Sequence, residues 1–201
     1  MPPDEGDIQL FGQSICGLKD EARDEVRKRF GILFQSGALF NSMTIAENVA
    51  LPLQEHTPLD PEIIATMVKI KLEQVGLREH ADKYPAQISG GMKKRAGLAR
   101  ALALDPVILF YDEPSAGLDP VTSADLDALI RRLARTLGVT FVVVTHELPS
   151  IYSIADRVIM LDKRVKGIIA SLDGAAGPAA KPEALVPRGR DDPHVARGRP
   201  R

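Results

Sequence analysis

The chain has 201 residues, 44% of them apolar, which is enough for one domain with a sizeable core and too many for a disordered polypeptide. Its 26 basic and 27 acidic residues nearly cancel, so no global basic field favours nucleic acid, and no nucleic-acid partner is expected. The longest apolar runs, 107–111 and 141–144, fall far short of the roughly 20 residues that a membrane-spanning helix requires.

The opening MPPDEGDIQL is acidic, with neither a basic leader nor an apolar run, which predicts no secretory signal and a cytosolic location. The single cysteine, Cys16, cannot form an internal disulfide and reads as a small packed hydrophobe. A short strand is expected near residues 8–11, then a charged helix from about Asp20 to Arg29, then a strand over Gly31–Phe34. Between Gln35 and Ser89 the texture turns helical. Thr44 precedes IAENVAL, and Asp60-Pro61 reads as an N-cap followed by proline at the first helical position. Another helix follows Ile88-Ser89-Gly90-Gly91-Met92, with Ala96, Ala99 and Ala103 expected inward and Lys93, Lys94 and Arg95 outward.

From Pro106 onward strands alternate with helices. VILFY is a continuous apolar run of the kind found in parallel strands covered on both faces. Asp119 and Pro120 open a helix in which Leu126, Leu129, Ile130, Leu133 and Leu137 recur at three- and four-residue steps, and Gly138 ends it. With a strand over Thr140–Thr145 this makes a strand-helix-strand unit whose two strands run parallel. A short helix from Leu148 and a strand over Arg157–Leu161 continue the alternation. Residues 171–201 are rich in Gly, Ala, Pro and Arg and are expected to form a disordered tail.

Three features carry chemistry. Asp112 and Glu113 stand at the carboxyl end of the VILFY strand, where α/β folds bind ligands. Such a pair suits nucleotide hydrolysis, one carboxylate holding magnesium through its water shell and its neighbour polarising the attacking water; an Asp-Glu pair at a strand end also simply caps helices. Ser89, Gly90 and Gly91 open a helix, and the glycines let a phosphate approach free N–H groups at its positive end; an ordinary Ser-capped helix has the same look. His146 ends the Thr140–Thr145 strand. His56, His80 and His194 have no metal-ligand spacing.

The order of these parts is more specific than any one of them. Gln35 after a strand, SGGM before a helix, DEP after a strand, Asp119 shortly beyond and His146 at the next strand end resemble the nucleotide-binding subunit of ABC transporters over roughly residues 5–170. The resemblance implies an α/β fold of the P-loop NTPase type, a parallel sheet with a helical subdomain. It implies that Gln35 is the loop glutamine near magnesium and the attacking water, and that Ser89, Gly90 and Gly91 are the signature motif. Asp112 corresponds to the magnesium-associated carboxylate and Glu113 to the general base. Asp119 belongs to the loop that crosses to a partner subunit, and His146 is the switch histidine at the γ-phosphate. ATP and Mg2+ are the implied ligands, and a membrane permease and a second ATP-binding subunit, identical or related, are the implied partners. The implied location is the inner face of the cytoplasmic membrane.

Met92, in the place where most of the family has glutamine, together with FQSGALFNSMTIAENVALPL, is similar to the ATPases of Mla-type phospholipid transport and the related Mce systems. In that family the stretch after Gln35 docks the permease, so Phe40, Met43 and Ile45 read either as permease-facing residues or as packing of the helical subdomain. The parts divide as residues 1–35 for a remnant of the ATP-binding core, 36–91 for the signature subdomain, 92–170 for the second half of the core and 171–201 for the tail.

One expected part is missing. The sequence contains no GxxxxGKS/T loop and no Gly-Lys pair; Gly12-Gln-Ser-Ile-Cys-Gly17 is the nearest imitation, with Leu18 before Lys19 and Asp20 where a hydroxyl belongs. By the resemblance, the sequence starts beyond the phosphate loop, its strand and its helix. This chain alone is then expected to be inactive, with FVVV left at a sheet edge and prone to aggregation. Two alternatives stand beside this reading. One is a non-catalytic partner or gene fragment that lends only its SGGM face. The other is an ABC-fold ATPase of DNA repair or translation, although no coiled-coil, zinc-binding or duplicated domain is visible.

Overall fold

The computed structural model describes residues 5–35, 37–162, 164 and 167–173. Strands β1 (Gln9–Leu10) and β2 (Gln13–Ser14) form a small antiparallel hairpin, followed by helix α1 (Asp20–Lys28) and strand β3 (Phe30–Leu33). The helical stretch contains α2 (Ile45–His56) and α3 (Pro61–Gln74), then two single 3-10 turns before α4 (Gly90–Ala101). Strand β4 (Ile108–Asp112), helix α5 (Pro120–Leu137), strand β5 (Thr140–Val144), helix α6 (Leu148–Ile154) and strands β6 (Arg157–Asp162) and β7 (Gly167–Asp173) complete the order.

The helix boundaries follow local chemistry. Thr44 caps α2 through a reciprocal box with Glu47. Asp119 caps α5 by accepting from the N–H groups of Val121 and Thr122, and Gly138 ends it at φ +67°, a left-handed turn that suits glycine. Asp60 stands at the N-cap of α3 with Pro61 first in the helix, but its side chain makes no capping hydrogen bond.

Strands β3, β4 and β5 form a parallel sheet in that order, with Leu33, Tyr111 and Val143 in one row. Its inner face is closed: Leu33, Leu109 and Tyr111 are buried with the apolar faces of α2, α3, α4 and α5. The opposite face differs from the expectation of strands covered on both sides. Ile32, Phe110 and Val142 form one row there and are 56%, 39% and 40% exposed. The hairpin reaches only one end of that face, where Phe11 stacks on Phe30 and Phe30 tilts against Phe110.

Among the described residues β5 is an edge strand, and β6 and β7 pair with each other rather than with it. A cavity of about 490 Å³, lined in part by Val139, Phe141, Val143, Ile154 and Arg157, lies between β5 and the start of β6. The tail expectation is corrected at its start: residues 171–173 belong to β7, because Leu172 and Asp173 pair with Val158 and Arg157. Residues 174–201 lie outside the described residues.

Where α5 meets α6, Asp127 is 3% exposed, and its Oδ1 and the Tyr111 hydroxyl have no hydrogen-bond partner among the described residues. Burial pushes the Asp127 carboxyl above its ordinary value of 3.8, with a Ser150 hydrogen bond opposing. The folded chain therefore holds this proton more tightly than the unfolded one. Stability falls as pH rises from 3.8 through the raised folded value and stays lower above it. Asp127→Asn removes that loss. Its melting temperature at pH 7 is expected to exceed the parent's by about 2–4 °C, with the gap closing toward pH 4; a lower value at pH 7 would mean the carboxylate is satisfied.

Candidate active site

The parallel register brings the strand-end residues together. Gln35, Glu113 and Thr145 each lie two residues beyond the aligned row of Leu33, Tyr111 and Val143, and Asp112 pairs with Val144. Gln35, Asp112, Glu113 and His146 thus share the carboxyl edge of one sheet, as their order along the sequence implied.

Glu113 is the most constrained of them. Its φ is +46°, a left-handed conformation that costs a non-glycine residue roughly 1–2 kcal/mol and survives only where surroundings hold it. Its N–H donates to the Val144 carbonyl at 2.8 Å, and Lys94 Nζ donates to its carbonyl at 3.1 Å. The Glu113 side chain is 20% exposed, and Oε1 lies 2.7 Å from Nδ1 of the 78%-exposed His146. Thr145 Oγ1 lies 3.4 Å from Oε2 and accepts from the Glu147 N–H.

The hydrogen bond and charge of Glu113 raise the His146 pKa above its ordinary 6.5. The paired imidazolium form is therefore favoured at low pH, and its contribution is lost as pH rises through the elevated value.

A second group forms where α4 meets α5. Ser89 is the exposed N-cap of α4, its hydroxyl accepting from the Met92 N–H at 3.3 Å. Gly91 is packed so closely that an added Cβ would lie 2.5 Å from Thr122 Cγ2, and one at Gly90 would touch Leu118. Thr122 donates its hydroxyl to Asp119, and this bond with the nearby backbone N–H groups holds the Asp119 carboxyl below its ordinary value. Ser89, Gly90, Gly91 and Asp119 thus converge at the first turns of two helices, apart from the Glu113–His146 pair.

One expectation changes, and one open alternative is decided. Lys94 is 7% exposed rather than outward, since it shares the buried stripe of Gly91 and Gly97, which packs against α5 at one end and β3 at the other. Ile45 is fully buried and belongs to the core, whereas Phe40 is 51% exposed. The sequence reading passed over Thr145 and Lys94; the three-residue step from Gly91 to Lys94 was the available signal for the latter.

The chain matches the family profile described as ABC transporter over residues 1–116. It is 47% identical over 166 residues to the intermembrane phospholipid transport system ATP-binding protein MlaF of Haemophilus influenzae, covering 82% of this chain and 63% of that protein. The Escherichia coli K12 protein of the same name is 48% identical, with 82% and 62% covered. This chain therefore spans a little under two thirds of the length of these relatives. It is also similar to two solved structures. One is a dimeric ATP-binding cassette, MJ0796, in a post-hydrolysis state bound to ADP and Pi, with TM-score 0.74, 29% identity, and 86% of this chain and 75% of that chain covered. The other is cbiO1 of Clostridium perfringens, part of the ABC transporter complex cbiONQ, with TM-score 0.79, 25% identity, and 87% and 68% covered. The profile covers more than half of the 201 residues, and the fold superposes on both cassettes: this chain belongs to the ABC transporter family.

Proposed function

We propose that this polypeptide works as the ATP-binding and ATP-hydrolysing component of a phospholipid-transporting ABC system. The observation that carries the reading is the shared strand edge at which Glu113 meets His146 at 2.7 Å, with Gln35 and Asp112 beside them. Glu113 is the general base that orients the attacking water and takes its proton. His146 holds Glu113 and donates toward the terminal phosphate.

Asp112 and Gln35 offer hard oxygen donors that suit magnesium held through water. Among the described residues no group of three or more His, Cys, Asp or Glu could hold a metal ion, and the ion is taken to arrive with the nucleotide. ATP with Mg2+ supplies the phosphoryl group and the neutralising charge.

Ser89, Gly90, Gly91 and Asp119 face a second ATP-binding subunit, identical or related, so that each nucleotide lies between two chains. The exposed Phe40 contributes to the surface that meets a membrane permease. No described helix is long and apolar enough to cross a membrane, and the working location is peripheral, on the inner face of the cytoplasmic membrane. Phospholipid as the transported class rests on the likeness to MlaF.

The 201-residue chain alone is inactive, because no Gly-Lys pair is present to build the loop that surrounds the β- and γ-phosphates. A chimera tests both points: the phosphate-loop segment of the Haemophilus influenzae relative is joined ahead of residue 5. Magnesium-dependent ATP hydrolysis by the chimera, with background hydrolysis by the chain alone, is expected. Turnover by the chain alone at the chimera's rate would overturn the inactivity, and a folded chimera that neither binds nor hydrolyses ATP would overturn the reading of the site.

A further inference from the structure

Helix α4 meets a different functional segment at each step along its inward stripe. Gly91 abuts Thr122 of the α5 start, and Gly97 is so close to the chain after Gln35 that an added Cβ would lie 3.0 Å from the Gly37 carbonyl. Arg100 donates to the carbonyls of Ala38 and Gly37 at 2.7 and 3.1 Å. Between these, Lys94 carries a charge into a site where an apolar side chain would avoid the desolvation cost. Burial lowers its pKa, opposed by the charge of Glu113. What an ammonium adds there is a donor, and it is spent on the Glu113 carbonyl at 3.1 Å.

That bond ties the peptide after Glu113, whose carbonyl also accepts from the Ala116 N–H at 3.3 Å, while the peptide before it is tied to Val144 at 2.8 Å through the Glu113 N–H. With both sides held, Glu113 keeps φ +46° and its carboxylate stays at His146. We propose that Lys94 is a positioning residue for Glu113, joining the helix that begins with Ser89-Gly90-Gly91 to the general base of the same chain. This rests on Glu113 being that base. A shift of α4 at its exposed end then reaches the base directly, through one side chain.

The test is NMR titration of the His146 imidazole in the folded 201-residue chain, comparing the parent with Glu113→Gln, Lys94→Met and Lys94→Arg. Charge alone predicts that loss of the Lys94 cation raises the His146 midpoint, because the protonated ring loses a repelling neighbour. Loss of positioning predicts the opposite, because the Glu113 carboxylate leaves Nδ1. The expected result is a fall of about half a pH unit or more in Lys94→Met, in the same direction as Glu113→Gln, and recovery in Lys94→Arg. A midpoint in Lys94→Met that is unchanged or higher overturns the proposal. Where Lys94→Met does not fold, Lys94→Leu, which likewise carries no donor, is read by the same rule. If Glu113→Gln itself leaves His146 unmoved, the Glu113–His146 contact is wrong, and the assignment of the base falls together with the role of Lys94.

Discussion

Glu113→Gln, placed in the chimera that carries a phosphate loop, is expected to lower ATP turnover at least about a hundredfold, the contribution of a well-placed general base. Nucleotide binding is expected to stay intact. The amide keeps the size and one acceptor oxygen of the carboxylate but cannot take a proton from water. His146 Nδ1 lies 2.7 Å from the carboxylate oxygen, so the variant also loses the charge that favours the imidazolium. Steady-state hydrolysis measured beside equilibrium nucleotide binding separates the two effects. Turnover near that of the parent, with unchanged binding, would show that another group activates the water.

Gly31→Ala is expected to destabilise the fold by about 2–3 kcal/mol, since overpacking a close contact costs that order. A Cβ at Gly31 would fall 2.7 Å from the Ala101 carbonyl oxygen and 3.2 Å from Leu109 Cγ. The first of these is backbone of α4, which cannot rotate aside as a side chain would. Relief requires β3 and α4 to separate, which opens the core around Leu33, Leu98 and Leu109, each at most 1% exposed. The melting temperature should fall by about 4–12 °C for a chain of this size. An unchanged melting temperature would mean that β3 and α4 do not approach as closely as described.

The open sheet face and the free edge of β5 bear on handling of the isolated chain. Val142 and Val144 are 40% and 59% exposed on an edge strand, and an apolar edge with unpaired N–H and C=O groups pairs readily with other chains.

The sequence by itself determined the local elements and the order of the site. Thr44, Asp119 and Gly138 mark helix ends because a cap is made within one turn of chain. The apolar runs before Gln35, Asp112 and His146 mark strands, and parallel pairing of consecutive strand-helix-strand units puts their ends on one edge. Tertiary structure decided the rest. A lysine at position 94 looks solvent-facing until the sheet and Glu113 are packed against its helix, and Ile45 looks available to a permease until α2 lies on the core. Strand β7 forms as the second arm of a hairpin with β6, its pairs running from Asp162 with Gly167 to Arg157 with Asp173. Which face of the VILFY strand is covered, and the +46° turn that aims Glu113 at His146, likewise depend on contacts between residues distant in the chain. Burial and strain are properties of such contacts, and a linear pattern records only their local half.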